Sequence, residues 1–239
     1  MKRCIWKTRR TAFWSALVFA VIVSLGAATD KLQEEQKMVR SVATTHQVVA
    51  LTFDDGPNRK VTPEILKILR EKGVHATLFL LGVNAKEQPE LVKQAIADGH
   101  ELGNHAFTHT LLSKLSAEAI GEELDQTAAV VRQETAVEPV LFRPPGGVAN
   151  KAVLAAAKAR GYTTVTWSVD PEDWRCPPAE NIVERVVSKV KPGSIVLLHD
   201  GQYPLSTPEA LPTLIDTLRQ EGYQFVTVSD LLQYEEVSP

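Results

Sequence analysis

Cysteine is nearly missing from this chain: only Cys4 and Cys176 among 239 residues carry a thiol. Cys4 falls in a basic head at the N-terminus, so Cys176 has no partner in the remainder and an internal disulfide is excluded there. Stability must then come from apolar burial, which a domain of this length can supply. Cys176 itself is expected to be an ordinary loop thiol, since its neighbours offer no base to make a thiolate. Repeats, low-complexity tracts and any linker-like stretch in the middle are also missing. The chain is long enough for two domains, yet nothing divides it centrally. Acidic residues are absent from residues 1 to 28, which hold Lys2, Arg3, Lys7, Arg9 and Arg10. Taking those five positive charges from the whole-chain value of −3 leaves −8 on the rest. Charge of that sign argues against nucleic acid and anionic lipid as partners of the main domain.

The basic head runs into an uncharged stretch from Thr11 to Thr29 that ends in Gly26-Ala27-Ala28. A positive head, an apolar run and small residues at its end describe a signal peptide. The run is also close to the roughly 17 to 20 residues that a spanning helix needs, so a retained signal anchor is the alternative. Either leaves the positive cluster in the cytoplasm and the following domain outside it, secreted or membrane-anchored through the N-terminal segment alone. The expected organisation is a signal peptide or anchor over 1–29, a polar tether over 30–45, a single domain over 46–234 and a tail over 235–239.

From His46 onward, short apolar runs alternate with helical periodicity. Val48 to Phe53 is a continuous apolar run of the kind that forms a strand buried on both faces. Thr62 and Pro63 suggest an N-cap and first helical position, with Ile65, Leu66, Ile68 and Leu69 at helical spacing. Further strands are expected at 76–81, 101–103, 140–142, 163–169, 194–198 and 224–228. Helices are expected between them, over about 89–98, 117–134, 151–160, 179–189 and 208–221. Strict alternation points to a parallel α/β sheet, and seven staves suit a distorted (β/α) barrel better than an open doubly wound sheet. An open sheet gathers its ligands mainly at one switch point, whereas here five separate strand ends carry polar groups.

Those five ends are Asp54-Asp55-Gly56-Pro57, His105 with His109, Arg143-Pro144-Pro145-Gly146, Asp170 with Asp173-Trp174, and Leu197-Leu198-His199. Two histidines four residues apart, joined by one carboxylate, make a set that holds a divalent ion and leaves positions open. Successive aspartates point in opposite directions, so one can bind metal while the other addresses a water. His46, His75 and His100 show no partner spacing and are expected to be structural, as are Asp170 and Asp200 as turn caps.

In order and content the five motifs resemble those of the polysaccharide deacetylases, carbohydrate esterase family 4 or the NodB-homology domain, over about residues 46–234. The resemblance implies a distorted barrel of seven or eight parallel strands. It also implies metal-dependent removal of N-acetyl groups from an extracellular N-acetylated polysaccharide, peptidoglycan first and chitin-type oligosaccharide second. Asp55, His105 and His109 would hold the metal, zinc with cobalt or manganese as alternatives. Asp54 would be the general base, His199 the general acid, and Arg143 would orient Asp54. Asp173 would hold either His199 or Arg143. Leu197 would line an acetyl pocket, Trp174 would wall the site, and Gly146 would offer its N–H to an oxyanion where the family usually has an aromatic residue. A noncatalytic wall-binding protein on the same scaffold is the alternative, and a two-carboxylate glycosidase a third.

Overall fold

A computed structural model describes residues 38–236; the expected signal segment lies outside the described residues, as do the first half of the tether and the last three residues of the tail. The strands are β1 (Val48–Asp54), β2 (Thr77–Leu80), β3 (Glu101–Asn104), β4 (Leu141–Phe142), β5 (Thr163–Thr164), β6 (Ser194–His199) and β7 (Gln224–Phe225). Between and after them come α1 (Val61–Lys72), α2 (Gly82–Glu87), α3 (Pro89–Ala97), α4 (Ala117–Thr135), α5 (Lys151–Ala159), α6 (Ala179–Val187), α7 (Thr207–Gln220) and α8 (Val228–Leu232).

All seven strands are parallel; six follow the order β5-β4-β3-β2-β1-β6, and β7 pairs with β1 off that path. β6 pairs along most of one edge of β1, while β7 and then β2 share the other. Beyond β5 the chain bridges Val39 through Val165 and then β6 through Val169, which curls the sheet into the expected distorted barrel. Every residue of β1 is buried because each face meets a different layer. Val49, Leu51 and Phe53 join the layer under the helices, with Val196 and Leu198 of β6. Val48 and Ala50 face the interior with Ile195, Phe79 and Leu141, and α8 adds Val228 and Leu231 to that cluster. Side chains alternate with a period of two, so Thr52 and Asp54 continue the interior face. The pattern that packs the core thus delivers Asp54 into the barrel mouth.

Several expectations are corrected. Residues 38–45 do not hang as a tether: Val42 is buried and donates its N–H to the Gly193 carbonyl, and Ser41 bridges Ser194. The strand expected over 163–169 pairs as a ladder only at Thr163–Thr164, because the chain then leaves β4 to bridge Val39 and β6. Val228, expected to end a strand, instead starts α8, capped by the Thr227 hydroxyl. Thr62 lies inside α1, and its hydroxyl donates to the Asp200 carboxylate.

Candidate active site

Register sets the site. Asp54 and His199 are the last residues of adjacent strands and are direct partners across the β1–β6 ladder, so their side chains share one face. Thr52 and Leu197 are partners one step below them. β2, β3 and β4 end level with β1, through the pairs Asp54 with Phe79, Leu80 with Asn104 and Asn104 with Phe142. The residues that follow β1, β3 and β4 are Asp55, His105 and Arg143. They meet because strands of a parallel barrel present their C-terminal ends together.

Asp55 Oδ1 lies 3.4 Å from His105 Nε2 and 3.3 Å from His109 Nε2. One ligand atom from each of the three falls within 4.8 Å of the others. His105 Nδ1 sits 2.8 Å from the Arg143 carbonyl oxygen, which only accepts, so the proton is on Nδ1 and the Nε2 lone pair faces Asp55. Asp55 Oδ1 is buried yet has no hydrogen-bond donor. An unpartnered buried carboxylate oxygen beside two imidazole nitrogens, one from buried His105 and one from exposed His109, suits a divalent cation. Burial opposes ionisation of Asp55; when the rings are protonated and no ion is bound, His105 first, then His109 and His199, outweigh it and hold the carboxyl below its usual range.

Backbone strain marks the same loops. Six described non-glycine residues adopt positive φ, and five of them, Asp55, Ala106, His109, Glu172 and Cys176, lie in loops of the site. Such conformations cost energy and persist where surrounding bonds impose them. Asn84 Nδ2 donates to the Asp55 carbonyl at 2.7 Å. Glu123 of α4 accepts from the N–H groups of Phe107 and Thr108, both at 2.8 Å, and so holds the turn that carries His109. Neither partner was signalled by the sequence, because a carboxylate on a helix face and an asparagine in a short helix look like solvated positions.

Asp54 sits 2.7 Å from Arg143 Nη1, which also donates to the Thr52 hydroxyl at 2.8 Å. Arg143 is fully buried, its guanidinium lies over Phe79, and Nη2 donates to the Thr166 carbonyl. On the other wall, Asp173 partners His199, which resolves the open alternative. Its Oδ1 lies 2.7 Å from His199 Nδ1, and Oδ2 accepts the His199 N–H and the Thr207 hydroxyl. Burial alone would lower the His199 pKa, but the Asp173 hydrogen bond and charge raise it to about 9. Thr207, at the start of α7, carries no sequence signature.

Between these walls lies a cleft of about 390 Å³ lined by Asp54, Asp55, His105, His109, Trp167 and His199, together with Gly146, Trp174 and Leu197. All ten expected site residues are therefore in the cleft wall or directly bonded to it. Trp167 was not expected; its ring packs on Gly147, where an added Cβ would come within 2.6 Å. Gly146 has positive φ, and an added Cβ there would meet nothing within 4 Å. Asp200, taken as a turn cap, is fully buried and packed against Gly56, and burial pushes its pKa to about 7.

Comparison with known proteins gives concordant results. The family model described as polysaccharide deacetylase matches residues 41–165. A Bacillus cereus peptidoglycan-N-acetylglucosamine deacetylase is 44% identical over 81% of this chain and 92% of its own. The Listeria monocytogenes enzyme PgdA is 38% identical over 79% of this chain, which spans 40% of that longer protein. A Bradyrhizobium chitooligosaccharide deacetylase is 38% identical over 74% and 86%. Among solved structures, a peptidoglycan N-acetylglucosamine deacetylase superposes with a TM-score of 0.80 at 33% identity, covering 83% of this chain and 95% of that one. A family 4 pseudoenzyme from Bacillus anthracis reaches 0.79 at 32% identity, covering 84% and 71%.

Proposed function

The chain belongs to the polysaccharide deacetylase family, and from that premise we propose that it removes the acetyl group from N-acetylglucosamine residues of peptidoglycan, releasing acetate and leaving a free amine. The observation that carries this reading is the pairing of Asp54 with His199 across one ladder, beside an Asp55–His105–His109 cluster. Each of the two has its own buried partner of opposite charge, Arg143 for Asp54 and Asp173 for His199.

Asp55, His105 and His109 would hold the divalent ion, zinc by the nature of the donors, with cobalt or manganese as substitutes. When bound, the ion acidifies water and stabilises negative charge on the acetamido oxygen. Asp54 accepts the proton of the attacking water, and Arg143 fixes the oxygen that is not used. The amide nitrogen is too basic to leave as an anion, so His199 delivers a proton to it as the C–N bond breaks. Asp173 holds His199 Nδ1 and keeps the ring charged until that moment. The N–H of Gly146 donates to the oxyanion, Leu197 receives the acetyl methyl, and Trp174 walls the sugar.

The substrate choice draws on the relatives, several of which are named as acting on peptidoglycan, with chitooligosaccharide as second choice. A wall substrate also agrees with the basic and apolar N-terminus, which would put the domain outside the cytoplasmic membrane. Among the described residues no helix is long and apolar enough to cross a membrane.

The test is acetate release from purified wall glycan and from chitooligosaccharides, with and without chelator. Activity should vanish with chelator and return with zinc, cobalt or manganese; full activity in metal-free protein would refute the metal reading. Asp54→Asn should keep its metal and lose turnover, whereas loss of metal there would mean that the two aspartates have exchanged roles. The likeness to a pseudoenzyme keeps a second reading in view, a noncatalytic wall binder. Metal-loaded protein that binds glycan and releases no acetate would establish it.

A further inference from the structure

Among the described residues four large hydrophobic side chains stay exposed, and three of them, Val148, Trp174 and Tyr203, line the cleft or lie within two residues of its lining in sequence. The fourth, Val140, precedes β4 at the opposite end of the sheet. Apolar surface gathered on the rim of a cleft marks a face that something covers. Trp174 lines the cleft itself, and Tyr203, the more exposed at 62%, adjoins the lining residue Gln202.

Tyr203 is held in place. Gln202 Nε2 donates to the Trp174 carbonyl at 2.8 Å, the Cys176 thiol donates to the Pro204 carbonyl at 3.2 Å, and Asn58 Nδ2 donates to the Gly201 carbonyl at 3.1 Å. The three loops that follow β1, Val169 and β6 are thus laced together under the two aromatic rings. Lys60 Nζ lies 4.1 Å from the Tyr203 ring centroid and makes no ion pair among the described residues. A cation leaning on an exposed ring, on a chain that is net acidic beyond its head, offers two recognitions side by side. The ring takes the C–H face of a sugar, and the ammonium takes an anion attached to that sugar.

We propose that Tyr203 and Lys60 form a flanking subsite for the sugar next to the one being deacetylated, with Tyr203 stacking on its ring and Lys60 pairing with a carboxylate on its substituent. This deepens the deacetylase reading and rests on it. The preferred substrate is then a strand in which N-acetylated sugars have carboxylate-bearing neighbours, rather than a neutral homopolymer.

The experiment compares wild type, Lys60→Gln and Tyr203→Ala on chitotetraose, on wall glycan stripped to its lactyl ethers and on wall glycan that keeps its stem peptides. For Lys60→Gln, selectivity in kcat/KM for acidic over neutral strands should fall about tenfold through KM, and the loss should shrink at high salt. A loss seen with stripped strands identifies the lactyl carboxylate, and one seen only with peptide-bearing strands identifies the peptide; both support the subsite. For Tyr203→Ala the advantage of a tetramer over a disaccharide should fall about tenfold. Equal losses on neutral and acidic strands for Lys60→Gln, no loss at all, or a fall in kcat alone for Tyr203→Ala would overturn the proposal. If the wild type released no acetate from any strand, the deacetylase reading would fail by itself. Calorimetric titration of the same strands into wild type and Lys60→Gln would then decide the subsite on binding, with the acidic preference again required.

Discussion

Two histidines at opposite ends of the same parallel sheet, buried His100 and partly buried His199, are driven in opposite directions. His100, just before β3, accepts the Ala76 N–H on Nδ1 at 3.2 Å, and its Nε2 finds no partner. Burial then carries its pKa down to about 4; Asp98 opposes the fall and His75 adds to it. His199, at the end of β6, also suffers burial, yet Asp173 takes it up to about 9. What separates them is the partner: an N–H donor requires a ring nitrogen without a proton, and a carboxylate favours one with it. The difference follows the sheet's polarity, since Asp54, Asp55, Asp173 and Asp200 all gather at the end where strands finish and none lies near Ala76.

The most severe way to break the comparison is to delete the charged ring. His199→Ala should lower kcat by about 10²- to 10⁴-fold, the range for a lost proton donor. Metal content, measured on the same preparation, should stay at the wild-type level because His199 is outside the Asp55–His105–His109 cluster. An unchanged rate would remove its role as acid.

Asp173→Asn is the subtler cut, since it keeps the size of the side chain and removes the charge. In the wild type the pKa of His199 in the folded state lies above the unfolded value of 6.5. Its contribution to stability is therefore fully present below that pH and is lost as pH rises through about 9. The proton needed for the leaving amine is available over the same range. Without the Asp173 charge, burial is opposed only by the charges of Asp54 and Asp55, so the alkaline limb of the kcat profile should move down by roughly 2 pH units. Turnover at pH 8 should fall about 10- to 100-fold. A bound cation lowers the limb in both proteins, so the shift is read between equally loaded samples. Coincident profiles would show that Asp173 serves only the backbone N–H of His199 and Thr207.

How far the sequence reveals such pairings depends on how the residues are brought together. Asp54, Asp55, His105, Arg143 and His199 were visible because each ends or follows an apolar run, and a parallel barrel aligns those ends. The long buried strands β1 and β6 were equally clear. β5 was not, since Thr163 to Val169 is uniformly strand-like in composition while its ladder changes partners after Thr164. Residues 38–45 look solvated, but backbone bonds to Gly193 and Thr164 carry them into the body of the domain. Helix α2 has only six residues and no apolar period to announce it. The partner of Asp173 stayed open because sequence spacing cannot choose between two cations that both approach the barrel axis. His100 was expected to be structural, and its opposite response to burial was hidden because its partner is a main-chain N–H, which every sequence has everywhere.

The smallest expected effect falls on that second histidine. Unfolded His100 takes up its proton near pH 6.5 and the folded form only near pH 4, so between those values the unfolded state binds more protons. Stability therefore rises with pH across that window and is lost as pH falls from 6.5 toward 4, by on the order of 1–3 kcal/mol from this ring alone. His100→Gln keeps an oxygen for the Ala76 N–H and does not titrate. Urea midpoints measured at pH 7 and pH 4.5 should therefore differ less in the variant than in the wild type. Parallel losses in the two proteins would put the acid sensitivity elsewhere, among the carboxylates at the barrel mouth, and would leave the contrast between the two histidines without consequence for folding.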